Sequence, residues 1–553
     1  MASPGVLQRH FYKSRLAFKK IAVFTDYFNV YESRLMNGPA LPRMEEDKPE
    51  IIFEPHGFQV IEEKVFDDVK KLNYPEIIQE VDGIMNIISS LQREKDLDYK
   101  FRPELLFEAL QTSLIRLITL GITGFDSPVA GYSIPEAMAT LQSIKDIVLN
   151  LDENTYKLTK RDKEKMVMQL TGAIRFTQLT TNFNYFDRLT FIVSHINPLY
   201  KAIATHRFNN KFFDTGRKPL NPAAYSLFDS TALNIDFFSP NDRFRVTSER
   251  VHLGKKLFYD PILSATRKRN CATCHKPELA FTDTLATALA VDEKTYLLRN
   301  TPTLWFSALQ TRQFFDSRTT KLENQLSDVV HNQEEMKGSL AQSVKDLSND
   351  SIYKKYFQLA YPDEKEKITP YNISNAISSY MRTLVSYQSR FDKYMHGDKK
   401  ILTATEKNGF NLFMGKGKCG TCHFMPLFNG LVPPDFSETE SEVLGVPKTT
   451  AKHPAILDDD PGKINYSKSI IHRFAFKTPT LRNIELTPPY MHNGVYKSLE
   501  EVLEFYNNGG GAGLGIAPEN QTLPPDKLNL TKKEIADIIA FLKTLTDNNF
   551  RKL

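Results

Sequence analysis

The sequence predicts a mainly α-helical chain in which a helical N-terminal domain precedes two tandem small helical domains. Three observations carry this. Apolar residues recur near the 3.6-residue period through 11–31, 66–92, 103–120 and 135–151, whereas the alternation expected of strands is scarce. The first 235 residues contain no cysteine, and all four cysteines fall in two strings, Cys271-Ala-Thr-Cys274-His275 and Cys419-Gly-Thr-Cys422-His423. Downstream of each string the same short patterns return. Thr301-Pro-Thr-Leu304 recurs as Thr478-Pro-Thr-Leu481, and Leu322-Glu323 as Leu499-Glu500, both shifted by 177 residues.

A chain of 553 residues has room for three or four domains at ~150 residues each. The boundaries suggested are 1–235 for the N-terminal domain, 240–398 for the first repeat and 399–553 for the second. Asn37-Gly-Pro and Asp126-Ser-Pro break the N-terminal helices from one another. Residues 220–243 read as a linker. Leu257-Phe258 and Leu412-Phe413 precede the two strings. The second repeat opens on Thr403 and Glu406 and closes on Thr531 and Glu534, both at capping-box spacing. Its last helix, through 538–542, carries an apolar stripe suited to covering the edge of a flat prosthetic group. At 41% hydrophobic and 25% charged the composition is that of an ordinary folded core. The net charge of +5 is nearly balanced for this length and gives no reason to expect nucleic acid or a membrane surface as partner. No apolar run approaches the ~20 residues of a membrane span.

The cysteine strings carry the chemistry. A Cys-x-x-Cys pair alone could be a redox dithiol, and two pairs could make one zinc site. The histidine directly after each pair argues against both. Covalent haem attachment needs two thiols for the two vinyl groups and an adjacent imidazole to reach the iron. The two tandem domains are therefore expected to be cytochrome c-like, each with one haem c. Cys271 and Cys274 would hold the first with His275 as proximal ligand; Cys419 and Cys422 would hold the second with His423. Such attachment normally occurs outside the cytoplasm, so a periplasmic or otherwise exported protein is expected. Met1-Ala-Ser-Pro-Gly-Val has no signal-like apolar stretch, which implies an export signal removed or replaced.

The sixth iron positions divide electron carriers from enzymes, because an iron with two protein ligands shuttles electrons and an open one binds peroxide or oxygen. The 177-residue shift pairs Tyr506 with Val329. Valine cannot ligate iron and tyrosinate can, so the repeat predicts an open first haem and a second one closed by Tyr506. A packing role for Tyr506 is the alternative. The same shift pairs His492 with Phe315, which suggests an electrostatic or hydrogen-bonding role for His492 beside the haems.

Several further strings resemble the dihaem bacterial cytochrome c peroxidases and their MauG-like relatives over about 245–550. They are Leu257-Phe-Tyr-Asp-Pro261, Arg299-Asn-Thr-Pro302, Gln313-Phe-Phe-Asp-Ser-Arg318, Leu322-Glu-x-Gln325, Glu335-Met336, Thr478-Pro-Thr-Leu-Arg-Asn483 and Pro489-Tyr-Met-His-Asn-Gly494. The resemblance implies reduction of hydrogen peroxide to water with two electrons from a small donor protein, such as a monohaem cytochrome or a cupredoxin. The first haem would be peroxidatic and the second would receive electrons. Glu335 and Gln325 would then lie in the distal pocket, the carboxylate moving a proton between the peroxide oxygens and the amide orienting the bound species. The resemblance also implies a calcium ion between the haem domains, held by the Asn300 side chain and the backbone carbonyls of Thr487 and Pro489, an all-oxygen set.

Three positions depart from that pattern. Asp292 stands where the classical peroxidases place a histidine on the resting first haem. Tyr506 replaces the methionine on the second, as in MauG-like members. Phe315 replaces a tryptophan between the haems, while Trp305, the chain's single tryptophan, reads as core. Two other functions stay open: oxidation of a protein or small molecule through high-valent haem, and electron transfer by a non-catalytic dihaem cytochrome, with Met336 near enough to ligate. An oligomer is also open. His331 lies near the distal strings; His396, His453 and His472 have no comparable support. In the N-terminal domain, Gly57-Phe-Gln59-Val-Ile-Glu62 resembles the Gly-x-His-x-x-Glu string of imelysin-like helical domains. Gln59 takes the histidine place and His56 is out of register, so a helical docking or structural domain is expected rather than a metal site.

Overall fold

The computed structural model describes residues 3–44, 48–66, 72–95, 97–213, 216–451 and 454–547. Helices dominate, in keeping with the 3.6-residue periodicity of the sequence. Strand structure among the described residues includes two antiparallel ribbons, Arg43–Met44 with Ile52–Phe53 and Ser441–Val443 with Ala475–Lys477. The chain forms two compact units. One comprises residues 1–232, 395–397 and 403–426; the other comprises 233–394, 398–402 and 427–553.

The first unit is built on helix Pro4–Phe28, whose Phe11, Phe18 and Ala22 face Met36, Phe58, Ile61, Val65, Ile77 and Ile84. The helix expected over 66–92 runs instead over Tyr74–Gln92, and Phe66 ends a separate helix, Phe58–Phe66. The physical reason for the later start is local. The Asn73 side chain caps the second helix by accepting from the Glu76 N–H, and Pro75 occupies the first turn, where no N–H is needed. Helix Pro103–Arg116 passes into a wider π turn at Leu117–Gly121, and Ser133–Asn150 follows. This unit also holds helix Ala404–Met414, begun by the Thr403/Glu406 capping box, and the second Cys-x-x-Cys-His string.

The second unit contains the first string and the internal repeat in three dimensions. Helices Leu322–His331 and Leu499–Asn507 begin at repeat-equivalent residues. The bridge pairing Gln313 with Thr319 recurs as Tyr490 with Tyr496. The Trp305 N–H donates to Thr303 Oγ1 at 3.1 Å, and the Arg482 N–H to Thr480 Oγ1 at 3.2 Å. The two copies also exchange hydrogen bonds. Asn300 N–H donates to the His492 carbonyl and Lys477 N–H to the Phe315 carbonyl, each at 2.7 Å. These pairs are each other's images under the 177-residue shift with donor and acceptor copies swapped. That reciprocity is the mark of a local two-fold relation between the repeats.

Candidate haem sites

The first string forms a single helical turn, Cys271–Cys274, held by a reciprocal cap in which Asn270 N–H donates to Thr273 Oγ1 at 3.0 Å. The Asn270 amide also donates to the Tyr259 carbonyl at 2.7 Å, tying the turn to helix Ser248–Tyr259. A three-residue spacing in a helical turn puts both thiols on one side. His275 follows directly, and its Nδ1–H donates to the Phe281 carbonyl at 3.1 Å. A carbonyl only accepts, so the proton sits on Nδ1 and the Nε2 lone pair is left for a metal, the arrangement found in iron- and zinc-bound histidines.

The distal candidates lie in the same unit. Gln325 sits on helix Leu322–His331, and its Oε1 is buried without a hydrogen-bond partner among the described residues; so is the Trp305 Nε1. Such orphaned polar atoms are costly in a finished protein, and they fit a pocket completed by a prosthetic group. Glu335 is half-buried and accepts from Asn332 Nδ2 at 2.8 Å. Burial raises its pKa above the ordinary carboxylate value, with Arg318 and Arg269 opposing. The thiol of Cys274 is raised by burial, and after that the carboxylates of Asp283 and Glu335 act on it against Arg269. Neighbouring Glu334 is exposed. Val329 is half-buried on the helix that carries Gln325, and Met336 is buried with its carbonyl accepting from Ala265 N–H at 3.1 Å. Asp292 is exposed and spends its carboxylate on its own turn, accepting from Lys294 N–H, Thr295 N–H and Thr295 Oγ1 at 2.9 Å each. His331 takes a helix-capping role: its Nδ1–H donates to the Ser327 carbonyl at 2.8 Å and its Nε2 accepts from Leu340 N–H at 3.4 Å.

The second string belongs to the other unit. Lys418, at φ 52°, turns the chain into the short helix Cys419–Thr421, and His423 N–H donates to the Cys419 carbonyl at 3.0 Å. At Gly420 a Cβ would come within 2.7 Å of Met414 Sδ, so that the methionine would have to shift, and 3.3 Å from Thr123 Cγ2. The first string tolerates Ala272 at this place. Tyr506 is half-buried on helix Leu499–Asn507, begun by a Ser498/Glu501 capping box, with its ring 5.7 Å from that of Phe505.

The Asn300 amide donates to the Leu285 carbonyl at 2.7 Å, which leaves Oδ1 as its acceptor atom. Thr487 closes the turn Ile484–Leu486 just before the Pro488–Pro489 pair. Close by in sequence is a cluster that residue spacing did not reveal. The His492 ring stacks on Phe476 at 3.7 Å and 10°, and its Nε2 lies 3.2 Å from Asp458 Oδ1. The guanidinium of Arg299 covers Phe476 at 5.6 Å and bridges Asp460 and Asp316 at 2.7 and 2.6 Å. Hydrogen bonds from His492 and Asn493, outweighing burial, hold Asp458 down at about 2. Arg299 and His492 were visible in the family strings. Asp458 and Asp460 sit in an Asp-Asp-Asp run that carries no local motif, and only the fold brings them to His492 and Arg299. His396 pairs with Asp229 at 3.2 Å, burial lowers His472 to about 4, and His453 lies outside the described residues.

In the first unit Gln59 and Glu62 do not converge on a metal. Gln59 Nε2 donates to the Asn37 and Phe125 carbonyls at 3.3 and 3.1 Å, and Glu62 Oε1 accepts from Ser127 Oγ at 2.5 Å and Ala130 N–H at 2.8 Å. His56 pairs instead with Glu80, 3.1 Å away. Among the described residues no group of three or more His, Cys, Asp or Glu side chains is arranged to hold a metal. The calcium set uses none of these residue types.

Two Cys-x-x-Cys-His strings and an Nδ1-anchored histidine point to a class, the dihaem c-type oxidoreductases. Comparison with known proteins makes this specific. The profile of the di-haem cytochrome c peroxidase family matches residues 248–400. The chain is 33% identical to the methylamine utilization protein MauG of Methylorubrum extorquens over 54% of this chain and 79% of that protein. It is 32% identical to the cytochrome c551 peroxidase of Nitrosomonas europaea over 54% of this chain and 80% of that protein. A solved MauG-like protein associated with microbial copper homeostasis superposes with a TM-score of 0.50 at 30% identity, covering 55% of this chain and 91% of that one. The chain belongs to the di-haem cytochrome c peroxidase family and is an oxidoreductase of the dihaem peroxidase class.

Proposed function

We propose that the protein reduces hydrogen peroxide to water at the haem held by Cys271, Cys274 and His275, with electrons entering at the haem held by Cys419, Cys422 and His423. The observation that carries this reading is Val329 standing on helix Leu322–His331 at the place Tyr506 takes in helix Leu499–Asn507, on the same helix as the unsatisfied Gln325 Oε1 and in the same unit as the half-buried carboxylate of Glu335. When bound, the first haem would supply a redox-active iron. The Glu335 carboxylate would accept the proton of one peroxide oxygen and return it to the other, which could then leave as water. Gln325 orients the substrate through its amide. Asn332 holds Glu335 in place, and Arg318 and Arg269 temper the rise in its pKa. Tyr506 would be the residue that holds the second iron on its other side, as an anionic oxygen ligand; such a hard ligand would favour the ferric state and give a lower potential than methionine.

Asn300 Oδ1 and the carbonyls of Thr487 and Pro489 are proposed to hold a calcium ion. The electron donor is proposed to be a small redox protein, a monohaem cytochrome or a cupredoxin. The protein is proposed to work outside the cytoplasm, since c-type attachment normally takes place there; no helix among the described residues is long and apolar enough to cross a membrane. The test is a titration of the ferric and half-reduced holoprotein with stoichiometric peroxide, followed by visible and electron paramagnetic resonance spectra. The expected result is a high-spin signal that is lost on peroxide addition. Two low-spin haems inert in both states would overturn the reading in favour of an electron-transfer cytochrome.

A further inference from the structure

The second attachment string is held by the N-terminal helices of its own unit. Asn411, on helix Ala404–Met414, makes the tie in both directions. Its Oδ1 accepts from Leu189 N–H at 3.0 Å, and its Nδ2 donates to Asp187 Oδ1 at 2.9 Å. The Phe125 ring meets Phe424, the residue after His423, edge-on at 5.5 Å and 78°. Thr123 lies against Gly420 inside the string.

Arg188 is the charged member of this contact, and it is fully buried. Its Nε donates to the Ile122 carbonyl at 2.7 Å, Nη2 to the Phe183 carbonyl at 2.7 Å and Nη1 to the Phe186 carbonyl at 3.2 Å. The guanidinium also lies 4.4 Å from the centre of the Phe183 ring. All these partners are neutral. Asp187, next in sequence, commits its carboxylate to Thr190 N–H, Thr190 Oγ1 and Asn411. Burial draws the Arg188 pKa down to about 9, no carboxylate among the described residues opposes the fall, and the group stays charged at neutral pH. Arg15, Arg382 and Arg482 are as deeply buried, and each faces a carboxylate: Glu136 at 2.6 Å, Glu323 at 2.7 Å and Asp392 at 3.0 Å. A buried charge without such a partner is costly. The cation lies against the turn that leaves helix Ala404–Met414, since a Cβ on Gly415 would stand 2.6 Å from Arg188 Nη1. Lys418 N–H closes that turn on the Gly415 carbonyl at 2.8 Å. Cys419 follows, with its Sγ 3.3 Å from the Gly417 carbonyl.

We propose that Arg188 is a redox-tuning residue: a cation without a counter-charge, held by the N-terminal helices against the second attachment segment, that raises the reduction potential of the haem on Cys419, Cys422 and His423. The inference rests on the reading of that haem as the electron-receiving one. The step it acts on is the passage of one electron from the donor to the second iron, which goes from ferric to ferrous with no bond made or broken. Reduction lowers the charge at the iron by one. A fixed positive charge in a low-dielectric interior favours the more negative of the two states. Burial makes the effect durable, because salt screens buried charges much less than exposed ones. The field acts against the proposed Tyr506 ligand, which draws the potential down. The N-terminal helices thereby gain a redox role: they keep a tyrosinate-ligated haem reducible by the donor.

The experiment is a mediated redox titration of the holoprotein without peroxide, at low and at high salt. The second haem is followed by its low-spin electron paramagnetic resonance and visible signals. Wild type is compared with Arg188→Met, Arg188→Lys and Asn411→Ala, at about pH 6 so that a buried lysine keeps its proton. Arg188→Gln, which still donates to a carbonyl, stands in if the methionine variant does not assemble. Loss of the charge should lower the ratio of ferrous to ferric second haem at a fixed potential about tenfold, which is about 59 mV for one electron. The midpoint of the first haem should stay in place, and the difference should persist at high salt. Arg188→Lys, which keeps the charge and gives up the fork of hydrogen bonds, should titrate close to wild type. So should Asn411→Ala, which loosens the same contact without touching the charge. An unmoved midpoint in the neutral variants, an equal fall in Arg188→Lys or Asn411→Ala, or a difference that salt removes would overturn the tuning role and leave electron entry at the second haem intact. A wild-type second haem that takes up no electron across the titration would remove both.

Discussion

Glu335 and Tyr506 are proposed to divide the labour between the two sites, and each can be tested alone. Burial raises the pKa of Glu335 above its ordinary 4.5. A base must be ionised to accept a proton, so activity should rise with pH through that raised value and fall away below it. Glu335→Gln keeps the shape and removes the titration. The expected loss in the peroxide-dependent rate is about 10²- to 10⁴-fold, with the acid limb of the kcat/KM profile abolished. An unchanged limb would assign the titration to another group. For Tyr506→Phe the expected change is in the low-spin signal of the second haem, with the peroxide reaction at the first haem retained. A spectrum identical to that of the wild type would remove Tyr506 from the iron. These two residues also show what sequence can and cannot convey. Cys-x-x-Cys-His is a local string, and its chemistry is readable because all its atoms come from five neighbouring residues. Glu335 is separable from Glu334 only by its burial, which depends on packing by residues distant in sequence.

At the scale of single elements, the capping boxes at Thr403/Glu406 and Thr531/Glu534 form as their spacing predicts, with reciprocal bonds in both. Each satisfies N–H groups that the first helical turn leaves open. Thr531→Ala should cost about 1 kcal/mol and leave both haem spectra unaltered, measurable as a lower urea midpoint. The helix that presents Gln325 depends on a contact no local pattern announces. Glu323 accepts from Arg382 at 2.7 and 3.1 Å and from Asn375 Nδ2 at 3.1 Å, and the Glu323–Arg382 pair is fully buried. Arg382 is 59 residues away in sequence, so nothing in Leu322-Glu323 marks the glutamate as a buried anchor rather than part of a solvated face. Glu323→Ala leaves the Arg382 charge buried without its carboxylate, which costs on the order of 3–5 kcal/mol. Because the same helix bears Gln325 and Val329, the first haem's spectrum should shift with it. A stability loss within 1 kcal/mol of the Thr531→Ala value would mean that water or Asn375 replaces the lost partner.

The whole molecule joins a recognisable pair of repeats to an N-terminal unit whose chemistry is turned inward. The repeats were legible because duplication leaves equal spacings, and their reciprocal hydrogen bonds show why Thr301–Leu304 and Thr478–Leu481 recur. The N-terminal helices were legible from periodicity, but their ion network was not, since charged residues on an amphipathic helix normally face water. Arg15 lies on the buried side of helix Pro4–Phe28 and donates from Nε to Glu136 Oε1 at 2.6 Å, while Lys19 donates to Asp126 Oδ2 at 2.6 Å. Arg116 also reaches Asp126, at 2.8 Å. Glu62 is the odd member. Burial, outweighing the hydrogen bonds from Ser127 and Ala130, pushes it up to about 7. A carboxyl whose pKa is higher folded than unfolded binds its proton more tightly in the folded state. Its contribution is therefore greatest at and below the unfolded value of 4.5 and is lost as pH rises through about 7. At most about 3 kcal/mol of first-unit stability should disappear across that window. Glu62→Gln, which keeps an acceptor for Ser127 Oγ and Ala130 N–H and cannot ionise, should flatten the dependence. Hydrogen exchange of helix Phe58–Phe66 in the holoprotein at pH 5 and pH 8 reads this directly. Equal protection loss with rising pH in wild type and variant, after correction for intrinsic exchange, would show that Glu62 stays ionised within the network at both pH values.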